Sequence, residues 1–212
     1  MKNNPIHTVI FDLDGTLSDT AILTMKVLGR FAPEYGLPVP SEEMIKDLMG
    51  YKTPEFIGHL FPDLTLDEAE KLGRIMDREE LKELKNVDDI LFDGVLELLK
   101  SLKDLGIRMH IASTGSTERV MTTLSVADIE EFFDTVVSGC SDKTEILCEM
   151  TKGGEKNGYI MVGDSIKDYT AARENGIVSV GVCLGYCSRE TSKFDLYIDH
   201  PLELLNILRL EN

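Results

Sequence analysis

The distribution of apolar residues divides the chain into two regions. Between Leu17 and Ile90, apolar residues recur at the three- and four-residue spacing of amphipathic helices, as Leu23 and Val27 do within the segment 20–31. This region has no alternating run of β-branched residues, the pattern that half-buried strands show. We therefore expect residues 17–90 to be mostly helical.

Local signals place the ends of these helices. Gly36 fits the end of a first helix, and Ser41, followed by two glutamates, fits the N-cap of the next. Thr65 is followed three residues later by Glu68, which is the pattern of a capping box. A long charged helix is therefore predicted from Thr65 to about Lys85.

From Leu91 onward, helical and strand-like patterns alternate. Residues 93–105 carry an apolar stripe that ends at Gly106, which predicts an amphipathic helix. Short apolar runs typical of buried parallel strands stand at 9–11, 107–112, 135–138, 159–163 and 178–182, with an edge strand predicted at 195–198 and a last helix at 201–210. This alternation predicts an α/β fold whose parallel-sheet core, residues 1–16 and 91–212, is interrupted by a helical insertion at 17–90.

The composition is that of an ordinary globular protein with a strongly acidic balance. Of the 212 residues, 42% are hydrophobic and 28% are charged, and the net charge is −16. Such a charge disfavours nucleic acid or an anionic membrane surface as a partner, because both attract basic patches. An anionic substrate would have to be attracted locally, by a bound cation, a lysine or backbone N–H groups.

The cysteines and the N-terminal segment indicate a cytoplasmic protein. None of the four cysteines (Cys140, Cys148, Cys183 and Cys187) belongs to a CxxC pair, so we expect free thiols in a reducing compartment. The residues before the first strand contain no secretory apolar segment, and no apolar run reaches membrane-spanning length.

Two carboxylates one residue apart, Asp12 and Asp14, directly follow the first strand and precede Gly15. Like charges this close disfavour ionisation of both unless a cation lies between them. Taken alone, the motif also fits a strand followed by an ordinary Asp-Gly turn.

Three later strand ends carry polar groups as well. Ser113 follows the strand at 107–112, and Lys143 lies in the loop after the strand at 135–138. Asp164 and Asp168 follow the strand at 159–163, and a helix starting near Ser165 would bring both into one region. Taken alone, Lys143 fits a solvated surface lysine, and Asp168 fits a solvated carboxylate at a helix start.

These four motifs in order, Asp12-x-Asp14-Gly15-Thr16, Ser113, Lys143 and Gly163-Asp164-x3-Asp168, resemble those of the haloacid dehalogenase superfamily. The segments 171–177 and 180–186 are similar to the phosphoglycolate phosphatase-like group. The resemblance covers essentially the whole chain. It implies a Rossmann-like core with an inserted helical cap.

The resemblance also implies roles for the motif residues. Asp12 would be the nucleophile that forms an aspartyl-phosphate, and Asp14 would be the acid that protonates the leaving oxygen and later takes a proton from water. Mg²⁺ would be held by the Asp12 carboxylate, the Asp14 backbone carbonyl and Asp164, with Asp168 acting indirectly or through water. Asp14 as a mere turn carboxylate is the alternative.

The other two motifs would bind the phosphoryl group. Ser113 would donate to a phosphoryl oxygen, helped by the N–H groups of Thr114 and Gly115, while Ser116 caps the next helix. Lys143 would neutralise the transferred phosphoryl group and hold Asp12. The chain departs from the family pattern here, because Thr144 stands where a proline frequently follows this lysine.

The resulting prediction is a Mg²⁺-dependent phosphatase of a small phosphorylated metabolite, with a phosphoglycolate-like ester as the leading substrate. The alternatives are a sugar phosphomutase similar to β-phosphoglucomutase and a catalytically silent binding protein on the same fold. A dehalogenase or phosphonate hydrolase is disfavoured, because those branches lack an acid at the position of Asp14. Residues 50–53 are predicted to form a loop that faces the substrate.

Overall fold

The computed structural model describes residues 6–49, 51, 53–140, 142–184 and 193–210. The chain divides into two compact units, one formed by Met1–Ser18 with Leu91–Asn212 and the other by Asp19–Ile90. The N-terminal segment of the first unit ends at Ser18, two residues later than the boundary at residue 16 predicted from the sequence. The reason is a turn in which the N–H groups of Leu17 and Ser18 donate to Leu13 O.

The first unit is built on a parallel sheet of six strands within the described residues. The strands are β1 Thr8–Phe11, β2 Arg108–Ala112, β3 Thr135–Val137, β4 Tyr159–Gly163, β5 Val178–Val182 and β6 Leu196–Ile198. Their order in the sheet is β3-β2-β1-β4-β5-β6, and every pair is parallel. This is the strand order of a Rossmann-type sheet, so the predicted α/β fold class is confirmed.

The helices of this unit lie between and after the strands. They are numbered from α5, because α1 to α4 belong to the inserted unit, which comes earlier in the chain. They are α5 Val95–Asp104, α6 Thr117–Val126, α7 Lys143–Met150, α8 Ile166–Asn175 and α9 Leu204–Leu210. Because helices cover both faces of the sheet, all residues of β1 and β4 are buried. Side chains alternate between the faces, so Val9 and Phe11 belong to one apolar cluster and Ile10 to another.

Two predicted helices begin later than the hydrophobic pattern indicates. The helix expected over 93–105 begins at Val95, because Gly94 adopts a left-handed conformation with φ of +81°. The helix expected over 201–210 opens with a 3-10 turn, Pro201–Glu203, capped by the ring of His200, which accepts from Leu202 N–H. The strand bounds agree with the prediction to within one residue.

The second unit contains α1 Ala21–Glu34, α2 Glu42–Leu48, α3 Thr53–Leu60 and α4 Leu66–Leu84. No strand occurs in its described residues, as expected for residues 17–90. The predicted caps are confirmed, because Ser41 accepts from Met44 N–H and Thr65 forms a full capping box. Helix α1 ends at Glu34, and Gly36 follows the C-cap with a left-handed φ of +69°, so the predicted end of the first helix at Gly36 is confirmed. Pro33 lies in its last turn.

The second unit has a hydrophobic core of its own. Buried apolar side chains from all four of its helices form one cluster, with Phe31, Ile45, Ile57 and Met76 among its members. Because all described members of this core belong to the unit, the helical segment has its own source of stability.

The structure describes some, but not all, of the residues on which the predictions about cysteines and the substrate-facing loop rest. Cys140 and Cys148 are free thiols, as expected, whereas Cys187 lies outside the described residues. Gly50 and Lys52 of the predicted substrate-facing loop, and residues 185–186 of the family-like segment, also lie outside them. Among the helices that the structure describes, none combines the length and apolar character needed to cross a membrane.

Candidate active site

The polar strand ends meet at the carboxyl edge of the sheet. Phe11 pairs with Ile111 on one side and with Val162 on the other, so the residues that follow β1, β2 and β4 lie side by side. Asp12 N–H donates to Val162 O at 2.9 Å, which extends this pairing by one residue. β1 and β4 flank the point where the strand order reverses, which is where open α/β sheets bind their ligands.

A glycine turn carries the two carboxylates that follow β1. Asp12 is buried and Asp14 is half-buried, while Leu13 between them is packed into the core. Gly15 has a φ of +78°, and a Cβ at this position would overlap the carboxylate of Asp164. The glycine therefore lets the turn approach the end of β4, which sets the first acidic motif against the second.

A second glycine fits Asp168 beneath the end of β4. A Cβ on Gly163 would overlap the side chain of Asp168, which is fully buried. Asp168 Oδ2 accepts from Ser165 N–H at 3.0 Å and from Ser165 Oγ at 2.7 Å, forming a capping box at the start of α8. The alternative of a solvated carboxylate at this position is therefore wrong.

Lys143 joins the acidic residues from the two motifs. It is the first residue of α7 and is only 4% exposed. Its Nζ lies 2.9 Å from Asp12 Oδ1 and 2.5 Å from Asp168 Oδ1. The alternative of a solvated surface lysine is wrong, and the expected contact between Lys143 and Asp12 is present.

The electrostatic balance of this cluster leaves an excess of negative charge. Burial, partly offset by Lys143, raises the pKa of Asp12 from 3.8 to about 7. Burial and the neighbouring Asp12 and Asp168 raise the pKa of Asp164 well above its usual value. Burial would lower the pKa of Lys143, but the two carboxylates outweigh it and raise that pKa. Lys143 therefore stays charged, and a further cation would stabilise the ionised carboxylates.

The carboxylate oxygens are close enough for such a cation. One oxygen each from Asp12, Asp164 and Asp168 lie within 4.8 Å of one another. Both oxygens of Asp168 already accept hydrogen bonds, so Asp12 and Asp164 are the better direct donors. Carboxylate oxygens are the ligands that Mg²⁺ prefers, so the residues present fit that ion.

The segment after β2 lies against Asp14. A Cβ built on Gly115 would stand 3.2 Å from Ser113 Oγ and 3.4 Å from Asp14 Oδ2, so the three residues are neighbours. Gly115 N–H donates to Ser113 Oγ at 3.0 Å in this structure, while Thr114 is exposed. Ser116 caps α6 by accepting from Arg119 N–H, as predicted.

Arg119 is a site residue that sequence reasoning missed. Its Nε lies 3.7 Å from Asp14 Oδ1, and Asp14 Oδ1 has no hydrogen-bond partner among the described residues. The one available signal was its place in the first turn of the helix that follows Ser113. That signal is weak, because an arginine at such a position also fits a solvated helix face.

The comparisons with known proteins agree with this geometry. The sequence pattern of haloacid dehalogenase-like hydrolases matches residues 9–182. The chain belongs to the haloacid dehalogenase-like hydrolase family. The resemblance stated from the four motifs is therefore confirmed.

Individual relatives cover nearly the whole chain at modest identity. The N-acetylmuramic acid 6-phosphate phosphatase of Pseudomonas aeruginosa is 27% identical over 98% of this chain and 97% of its own length. A phosphoglycolate phosphatase of Agrobacterium fabrum is 27% identical over 88% of this chain and 84% of its own length. The crystal structure of a predicted phosphoglycolate phosphatase from Haemophilus somnus has a TM-score of 0.83 at 24% identity, covering 95% of this chain and 97% of that one, which supports the fold.

Proposed function

We propose that the protein is a Mg²⁺-dependent phosphatase that hydrolyses a small phosphate monoester through a phosphoryl group carried on Asp12. The observation that carries this proposal is the buried Asp12 carboxylate at the end of β1, 2.9 Å from the Lys143 ammonium and beside Asp164. The broader class, a phosphoric monoester hydrolase, follows from membership in the hydrolase family together with relatives named as phosphatases.

In the first step an oxygen of Asp12 attacks the phosphorus in line with the ester bond. The P–O bond to the leaving group breaks, and Asp14 gives its proton to the departing oxygen. Lys143 offsets the negative charge on the phosphoryl oxygens and fixes the Asp12 carboxylate at 2.9 Å. Bound Mg²⁺, held by Asp12 and Asp164, would supply further charge neutralisation on the phosphoryl oxygens.

In the second step water attacks the phosphorus of the aspartyl-phosphate. Asp14 accepts a proton from that water, and the P–O bond to Asp12 breaks, which regenerates both carboxyl groups. Asp14 suits this proton-exchanging role because it is half-buried and its Oδ1 has no hydrogen-bond partner among the described residues. Burial raises the pKa of Asp12, Lys143 opposes that rise, and bound Mg²⁺ would favour the ionised, nucleophilic form further.

A buried hydroxyl and a backbone turn complete the phosphoryl site. Ser113 is buried at the end of β2 and would donate its hydroxyl to a phosphoryl oxygen. Gly115 N–H holds that hydroxyl oxygen, which orients the serine, and Thr114 N–H would be the additional backbone donor. The leading substrate class is a small phosphoglycolate-like monoester, in line with the relatives of that name.

The test is phosphate release from a panel of esters, measured with Mg²⁺ and with EDTA, for the wild-type protein and for Asp12→Asn. The panel contains phosphoglycolate, N-acetylmuramic acid 6-phosphate, a hexose phosphate, pyrophosphate and p-nitrophenyl phosphate. We expect turnover that requires Mg²⁺ and is lost in Asp12→Asn. Phosphate release that survives both EDTA and the substitution would overturn the proposal, and conversion of the hexose phosphate to an isomer would favour the mutase.

A further inference from the structure

The side-chain amide of Asn175 joins the end of α8 to the start of α7. Its Nδ2 donates to Ala171 O within α8 at 2.9 Å and to Thr144 O of α7 at 3.0 Å. Both partners are carbonyl oxygens, which only accept, so the amide must present its NH₂ group to them. One bond therefore closes the end of α8, and the other ties that helix to α7.

The tethered carbonyl belongs to the residue directly after Lys143. On the other side of this residue, Thr144 N–H donates to Asp142 Oδ1 at 2.8 Å. The Thr144 backbone is thus held at its N–H by the preceding loop and at its carbonyl by α8. Thr144 lacks the ring that fixes the backbone of a proline, so these two hydrogen bonds restrain the first turn of α7.

Helix α8 consequently contacts the start of α7 at two separate places, the Lys143 ammonium and the Thr144 carbonyl. Asp168, in the first turn of α8, binds the ammonium group, and Asn175, the last residue of α8, binds the backbone next to it. Asp168 and Asn175 are seven positions apart, about 10 Å along the helix. The contact at the ammonium restrains the tip of the lysine side chain, and the contact at Thr144 O adds a restraint on the backbone next to it.

We infer that Asn175 is a positioning residue for phosphoryl transfer, acting through the first turn of α7 on Lys143. The inference rests on the proposed function, in which the Lys143 ammonium must lie against Asp12 and the phosphoryl group. Displacing a group of this kind by a fraction of an ångström weakens its interaction with the transition state.

Two substitutions separate the two hydrogen bonds of the amide. Asn175→Ala removes both. Asn175→Ser keeps a hydroxyl that reaches the carbonyl four residues earlier in its own helix but is too short to reach α7. We expect both variants to lose about tenfold in kcat, at the low end of what removing a partner of a site residue causes. The fall is expected in kcat more than in KM, and Asn175→Ser is expected to keep most of the thermal stability.

Asn86 provides a matched control in the other unit. Its Nδ2 also donates to the carbonyl four residues earlier, Lys82 O, at the end of α4. Asn86→Ala therefore removes a hydrogen bond at a helix end without touching α7, and its kcat is expected to equal that of the wild type. A wild-type kcat in folded Asn175→Ser would overturn the inference, as would an equal loss in Asn86→Ala.

Hydrogen exchange of α7 gives a readout that needs no turnover. In Asn175→Ala and Asn175→Ser, the amides of α7 are expected to exchange faster, while those of α8 before its last turn and those of β4 do not. Unchanged exchange in α7 would contradict the inference even if the wild type hydrolysed no ester. Conversely, if the wild type turns over and the Asn175 variants match it in both kcat and the hydrogen exchange of α7, the inference is overturned and the proposed function stands.

Discussion

At the scale of single residues, the two acidic motifs depend on glycines that leave room for carboxylates. Gly15 and Gly163 each stand where a Cβ would overlap an aspartate of the cluster. Each glycine adjoins an acidic motif of the candidate site but contributes only the absence of a side chain. The acidic residues themselves were predictable, because carboxylates at the ends of buried strands are costly without a function.

Gly15→Ala is expected to reduce both stability and activity. The φ of +78° strains any other residue, and the new Cβ would push Asp164 away, so we expect a loss of about 1–3 kcal/mol and of most of the kcat. The matched control is Gly106→Ala, where φ is +72° but no heavy atom of a packing neighbour among the described residues lies within 4 Å of an added Cβ. That variant is expected to lose about 1 kcal/mol in thermal unfolding and to keep its kcat. Equal kcat in the two variants would contradict the role given to Gly15.

We expect the proposed binding of Mg²⁺ at the acidic cluster to depend on pH. In the metal-free protein the pKa of Asp12 is raised from 3.8 to about 7. Between pH 3.8 and about pH 7, Asp12 is therefore protonated in the folded state but ionised in the unfolded state. This group's contribution to stability therefore falls as the pH rises through that window. Mg²⁺ needs the ionised carboxylate, so it competes with the proton below about pH 7.

The consequence is a pH-dependent stabilisation by the ion. We expect Mg²⁺ to raise the melting temperature more at about pH 8 than at about pH 5, and to have no such effect on Asp12→Asn at either pH. Differential scanning calorimetry with Mg²⁺ or EDTA measures this directly. An equal rise at both values of pH would speak against Asp12 as a ligand of the ion.

Some site residues could not be read from the sequence. Arg119 and Asn175 lie on helices, where a polar residue is expected at most exposed positions. Whether a helical side chain meets the site depends on how its helix packs on the sheet, and the sequence pattern does not specify that geometry. Asp12, Asp14 and Ser113 could be predicted because strand ends have a fixed place in a parallel sheet, whereas Lys143, the first residue of α7, was predicted from its order among the four motifs.

At the scale of secondary-structure elements, helix ends position the chemistry. Helix α7 begins at Lys143 and is capped by Asp142, while α8 begins beside Asp164 and is capped through Asp168. Helix starts with strong caps were predicted correctly, as at Thr65, because a cap is a local signal. The late start of α5 was not predicted correctly, because it depends on the left-handed backbone of Gly94.

The caps of α7 and α4 give a matched pair of substitutions. Asp142→Ala and Thr65→Ala each remove a side chain that accepts from a backbone N–H of the first turn, and each is expected to cost about 1 kcal/mol of unfolding free energy. Asp142→Ala is expected also to lower kcat about three- to tenfold, because the first turn of α7 carries Lys143. An unaltered kcat in Asp142→Ala would show that the cap does not position the lysine.

At the scale of the whole molecule, the chain enters and leaves the helical unit at one place. Asp19 N–H donates to Ile90 O at 2.8 Å, and Phe92 N–H donates to Leu17 O at 3.0 Å. The two connecting segments therefore run side by side, which is the arrangement of an insertion into a continuous fold. The change of hydrophobic pattern near these positions is why the division could be predicted from the sequence.

The separate core of the inserted segment leads to a prediction about folding. A protein consisting of residues 19–90 alone is expected to be helical and to unfold cooperatively, because all described members of its apolar cluster come from that range. Circular dichroism during thermal unfolding tests this. A gradual loss of signal without a transition would show that the segment needs the rest of the chain to fold.

The most direct test of the account is to find the phosphoryl group on Asp12. The wild-type protein is mixed with Mg²⁺ and the best substrate of the panel, quenched in acid within one turnover, digested and examined by mass spectrometry. The account predicts a phosphoryl group on the peptide that contains Asp12, labile to base as an acyl phosphate is, and absent from Asp12→Asn. Rapid turnover by the wild type with a phosphoryl group on another residue would contradict it.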